Sequence, residues 1–115
     1  MKPFLEHIKT SLGISTIEES FGTELLMYMN AIAITLVSFG VTDLIDVTFH
    51  KETALPTFTL IPKLEPLCIA YFVLSLRLVF DPPASDTVLR AIKASKDEIE
   101  MRIQLIIGEI EEIPE

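Results

Sequence analysis

The sequence contains one cysteine, four glycines, two histidines and about half as many bases as acids, and each shortage removes a class of function. Cys68, the lone cysteine, cannot form an intramolecular disulfide, and its place in the most apolar stretch predicts a buried, inert thiol. The glycines are isolated from one another, so no glycine-rich loop is present to cradle a phosphate. His7 and His50 stand far apart, without Cys, Asp or Glu at metal-ligand spacing, and are expected to be solvent-facing imidazoles; neither a metal nor another cofactor is expected. Nine lysines and arginines against seventeen aspartates and glutamates leave a net charge of −8, the wrong sign for a protein that neutralises phosphates. Long apolar runs are missing too. A membrane-spanning helix needs about 20 apolar residues, whereas the run over residues 67–80 is 14 long and contains Arg77, and that over 25–39 carries Asn30. Residues 1–7 lack the apolar core of a signal peptide, which predicts a cytosolic start.

What is abundant is apolar side chain. Half of the 115 residues are hydrophobic and the mean hydropathy is +0.47, although 23% of the residues are charged. A chain of this length folds as one domain with one core, yet small domains need much polar surface. The surplus predicts apolar surface buried against other chains. The charge is uneven as well: residues 97–115 hold seven acids and one base, a net of −6, so the acidity belongs to the C-terminal end.

The spacing predicts a mainly α fold: a four-helix domain over residues 1–115 with a short extended or β-hairpin arm between the second and third helices. The first helix covers residues 2–12, with Pro3 near its first turn and Gly13 as its stop. An acidic loop, 14–20, follows. The second helix runs from Thr23, a capping residue, to Phe39 before Gly40, with Leu25, Met29, Ile32, Leu36 and Phe39 at steps of four and three. Between residues 41 and 61 the pattern alternates through Ile45, Val47 and Phe49, then Phe58 and Leu60, with a turn over 51–56. A lone hairpin is marginal in water, so this arm must lie on the helices or add to a partner, which makes Phe49 and Phe58 candidate docking residues. The third helix, 66–80, is apolar nearly all round and should be central. Pro82 and Pro83 force a turn at Asp81. Ser85 or Asp86 then caps the longest helix, to about Ile107, with Leu89, Ile92, Lys96, Ile99, Ile103, Ile106 and Ile110 as a packing seam. Beyond Gly108 the acids Glu109, Glu111, Glu112 and Glu115 oppose the helix dipole, so the tail over 108–115 frays or waits for a partner through Ile110 and Ile113.

No catalytic constellation emerges, and the tail carboxylates read as a solvated charge run. Arg77 is the one residue out of place on its helix. It pairs with Asp81 one turn later and pins the turn, or it serves a subunit interface.

At that turn, Leu74-Ser75-Leu76-Arg77-Leu78-Val79-Phe80-Asp81-Pro82-Pro83-Ala84-Ser85 resembles a signature of the head-to-tail connector (adaptor) proteins of tailed bacteriophages and prophages. Leu12-Gly13-Ile14, Phe21-Gly22-Thr23-Glu24-Leu25-Leu26, Phe39-Gly40-Val41 and Ile99-Glu100-Met101-Arg102-Ile103-Gln104 are similar to that family's further landmarks, in the same order. Met101 stands where a tryptophan is expected and Gly22 where an aspartate is usual, and the arm lacks the family's tryptophan. The resemblance implies a virion protein made in the host bacterial cytoplasm and placed in the neck, at the head–tail interface. It implies a homo-oligomeric ring, usually of twelve subunits, between the portal protein and the stopper or tail-completion protein, with no membrane partner. Such a ring extends the channel for double-stranded DNA in packaging and ejection without reading its sequence. Glu109, Glu111 and Glu112 then become candidates to face the channel, where negative charge repels the DNA backbone and lets it slide. The competing readings are a small acidic regulatory protein, such as a dimeric adaptor or an antitoxin, and a small enzyme, for which the sequence offers no polar pocket.

Overall fold

The computed structural model describes residues 3–13, 22–80 and 83–111, which form four α-helices and one 3-10 turn. Helix α1 (Phe4–Leu12) starts behind Pro3 and ends at Gly13, whose φ of 77° lets its N–H turn back to the carbonyls of Lys9 and Thr10. Its buried face is Phe4, Leu5 and Ile8; Lys9 is covered as well, its ammonium 3.7 Å from where a Cβ on Gly22 would lie. The expected loop over 14–20 falls outside the described residues.

Helix α2 (Gly22–Ser38) buries Leu25, Met29, Ala33 and Leu36 at steps of four and three. It stops in a Schellman arrangement: Gly40 at φ 106° donates to the Val37 carbonyl, and the Val41 N–H reaches back to Leu36. Val41 is itself fully buried, the apolar contact that accompanies this cap. A Cβ on Gly40 would lie 3.0 Å from Ile107 Cγ2, so the glycine also lets the far end of α4 close onto the α2 exit.

The arm is where the expectation fails. No strand forms among the described residues; after the 3-10 turn Thr42–Leu44 the chain runs irregularly to residue 63. The reason lies in who takes the backbone hydrogen bonds. The Asn30 side chain receives the Phe49 N–H at 2.6 Å and donates to the Phe49 carbonyl at 3.1 Å, occupying the groups that a cross-strand neighbour would use. The Asp43 carboxylate accepts the N–H groups of Thr59 (3.3 Å) and Leu60 (3.5 Å), Glu65 accepts that of Phe58 (3.4 Å), and Phe4 donates to the Thr53 carbonyl (2.9 Å). Of the alternating apolar residues, Phe49 and Phe58 anchor the arm in the core and Val47 packs against it, whereas Ile45 and Leu60 are exposed. Phe49 packs against Phe4 and Phe72 with ring centroids 5.4 and 5.7 Å apart, and Phe4 meets Phe72 edge-on at 5.1 Å.

Helix α3 (Leu64–Phe80) carries Pro66 in its first turn and is central as expected, touching α1, α2 and α4. Helix α4 (Asp86–Glu111) is capped by Ser85, whose Oγ accepts the Val88 N–H at 3.4 Å and whose carbonyl accepts the Leu89 N–H. It continues through Gly108 to Glu111 rather than ending near Ile107. Helices α2 and α4 both pack on α3 but not on each other, so the three form an open layer with α1 across one side. The Cα radius of gyration is 14.8 Å and the extents are 50 × 35 × 19 Å; a compact chain of this length would have a radius of about 13 Å.

Candidate interaction surfaces

An open layer of this kind leaves three apolar features uncovered. The first is the flank of α2. Leu25, Met29, Ala33 and Leu36 turn inward, so Met27, Ala31 and Ile34 turn out, and Ile34 is 72% exposed. Beside it Ile45, just past the 3-10 turn, is 62% exposed. A shallow cleft lined only by Ala33, Ile34, Val37, Leu44, Ile45 and Val47 joins the two.

The second is the flank of α4. Ile103 and Ile107 are buried against the rest of the chain, and the opposite face presents Met101 and Leu105, one turn apart and 61% and 59% exposed. Helices α2 and α4 each pack on α3, and each apolar flank lies on the side of its helix opposite the residues it buries.

The third is a groove of about 200 Å³ between α2 and α4, floored by α3. Tyr28, Ile32 and Thr35 form one wall, Tyr71, Ser75, Leu76 and Val79 the floor, and Lys96 the other wall. Lys96, the one charge in the α4 seam, holds its ammonium 5.4 Å from the centre of the Tyr71 ring, a cation–π contact that accounts for its place there. Burial, and then the Glu100 carboxylate beside it, push the Tyr71 phenol up to about 12. Ser75 Oγ is buried without a hydrogen-bond partner.

The residues singled out from sequence fall in different places. Phe49 and Phe58, expected as docking residues, are buried in the core, while Ile45 and Leu60 on the same segment are exposed. Arg77 is exposed in the last turn of α3; Asp81 and Pro82 lie outside the described residues, and Pro83 is half-buried before α4. Glu109 is exposed. Ile110 and Glu111 belong to the last turn of α4, and Glu112 and Ile113 lie outside the described residues. His7 stacks on Phe4 at 5.9 Å and His50 is exposed; among the described residues no three His, Cys, Asp or Glu could hold a metal ion. Cys68 is buried as expected, its thiol pushed up to about 12 by burial and then by the Asp43 carboxylate. No helix among the described residues is long and apolar enough to cross a membrane. Sequence reasoning missed both flanks and the groove. The signal for one was present: Met101 and Leu105 lie four apart on the side opposite the isoleucine seam.

A thin helical layer with apolar surface on both flanks is the build of a protein that holds other protein chains. The chain belongs to the phage connector protein family, whose pattern it matches over residues 4–109, and it therefore serves as a structural connector of phage particles, of the head–tail type. No curated protein and no solved structure matches it.

Proposed function

We propose that this chain is a ring adaptor: copies of it close into a ring, of twelve by the family resemblance, between the portal and the stopper or tail, and the ring extends the DNA channel. The observation that carries this reading is a pair of exposed apolar flanks on two different helices, α2 and α4. A closed ring needs a heterologous contact, in which one surface of each copy meets a different surface of the next. The α2 flank (Met27, Ile34, Ile45) and the α4 flank (Met101, Leu105) supply two such surfaces. A dimer needs one self-complementary patch and would leave the other exposed. Glu109, Glu111 and Glu112 face the channel in this reading, where they repel the passing DNA; Arg77 and Asp81 hold the turn before Pro82 and Pro83.

Electron microscopy of the purified chain, alone and with portal protein, tests the proposal. Rings of uniform diameter, free or seated on the portal, are expected. A stable dimer that ignores the portal would contradict the reading. Neutralising the three glutamates to glutamine should leave assembly intact and slow or stall DNA ejection; unchanged ejection would remove the channel role from them.

A further inference from the structure

Gly108 has no reason to be glycine within its own described chain. Gly13 and Gly40 adopt positive φ, a Cβ on Gly40 would meet Ile107, and Gly22 opens α2 beside the Lys9 ammonium. Gly108 sits inside α4 without a positive φ, at a point where a Cβ would meet nothing within 4 Å. A glycine inside a helix weakens it relative to alanine, and what its bare backbone offers in return is close approach by another group. No described group of the chain makes that approach.

The surroundings of Gly108 are the exposed flank of α4. Met101, Leu105 and Gly108 stand at i, i+4 and i+7 and so share one face, away from the buried Ile103. Leu105 therefore projects beside a gap. The α2 flank has the inverse relief: Ile34 and Ile45 project, and between them lies a cleft of about 100 Å³, completed by Ala33, Val37, Leu44 and Val47. No polar side chain lines it, so water gains no partner from those side chains and an aliphatic side chain is the fitting occupant. A knob beside a gap on one surface, and a gap beside a knob on the other, is the relation by which helices interlock. Both surfaces belong to this chain, so a second copy supplies the match. Charge plays no part in selecting it: Asp46 beside Ile45 and Glu109 beside Gly108 are both exposed acids, and Glu98 already holds Arg102 at 2.7 Å.

We propose that Gly108 is an assembly residue: Leu105 of one copy enters the Ala33 cleft of the next, and Ile45 of that next copy lies on the bare α4 backbone at Gly108. The inference rests on the ring reading for its setting. Leu105 and Gly108, three residues apart, are neighbours on the helix surface, so one rim of the cleft engages both. Met101, one turn earlier, packs on the other rim at Ile34. The glycine weakens the subunit and serves the contact.

Substitution at Gly108 separates fold from assembly. Gly108→Leu puts a strong helix former into open space, so the thermal midpoint of the dilute subunit should rise. The same change fills the gap that Ile45 needs, and should raise the concentration at which rings form about tenfold or more. Rings from Gly108→Leu at the wild-type concentration would overturn the proposal. Cross-linking reads the contact itself: a chain carrying Ile34→Cys and Leu105→Cys should give, on oxidation, a ladder of disulfide-linked oligomers that Gly108→Leu suppresses and that neither single variant extends beyond a dimer. The two positions cannot join within one copy, because α2 and α4 do not pack on each other, and Cys68 is buried out of reach. With acids on both rims, added salt should preserve or strengthen the ladder; a ladder lost as salt is raised overturns the apolar contact. Rings without the ladder uphold the ring reading and overturn this contact, a ladder without rings upholds the contact alone, and the absence of both overturns both.

Discussion

Asn30 shows how much one polar residue decides here. Its amide replaces a strand partner for Phe49, taking both backbone groups, and so fixes an irregular segment against α2 while Phe49 anchors the aromatic core. Asn30→Ala leaves a part-buried N–H and carbonyl unpaired, and is expected to cost about 1–3 kcal/mol in denaturant unfolding; Asn30→Asp keeps the acceptor and should cost less. Cys68 and Tyr71 make a second statement at this scale. Both are raised from ordinary values of 9.0 and 10.0 to about 12. The folded state holds these protons more tightly than the unfolded chain, so their contribution is fully present below pH 9 and falls as pH rises from 9 towards 12. Thermal unfolding followed between pH 8 and 11 should show the midpoint dropping above about pH 9, and Cys68→Ala should flatten the earlier part of that decline. Native chain at neutral pH should resist thiol alkylation until unfolded.

At the scale of the element, α4 carries two apolar faces that differ in what they hold. Ile103 is fully buried, so Ile103→Ala should destabilise the chain by about 2–5 kcal/mol, whereas exposed Leu105→Ala should change stability by less than about 0.5 kcal/mol. The glycines contrast in the same way. Gly40→Ala would place a Cβ against Ile107 at a positive φ and should destabilise by more than about 1 kcal/mol, while Gly108→Ala adds a methyl to open space in a helix and should stabilise by up to about 1 kcal/mol. The four helices were legible from the sequence because steps of three and four, with Gly13, Gly40 and Ser85 at their ends, are local signals. The arm was not. Whether Phe49 faces a sheet or a core depends on Asn30, nineteen residues away, and alternation alone carries no trace of that bond. The end of α4 was misjudged for a related reason: acids at a helix terminus cost only a few tenths of a kcal/mol each, too little to stop a helix held by Ile103 and Ile107.

The whole molecule turns on the open layer. Composition announced surplus apolar surface, but which helix faces were left uncovered depends on α2 and α4 both choosing α3, a tertiary fact no spacing states. Lys96 stood out as a charge in the seam, and its role became visible only when the fold set Tyr71 and Ser75 beside it. In a heterologous ring a lysine on either flank should block assembly without unfolding the subunit. The most direct measurement is the light-scattering mass of the wild-type chain, of Ile34→Lys, of Leu105→Lys, and of the two variants mixed, at a concentration where the wild type assembles. The account predicts a closed ring for the wild type, folded monomers for each variant, and for the mixture a heterodimer that grows no further, because only one intact pair of flanks remains. A ring from either variant, or a wild-type dimer that one variant retains, would contradict it.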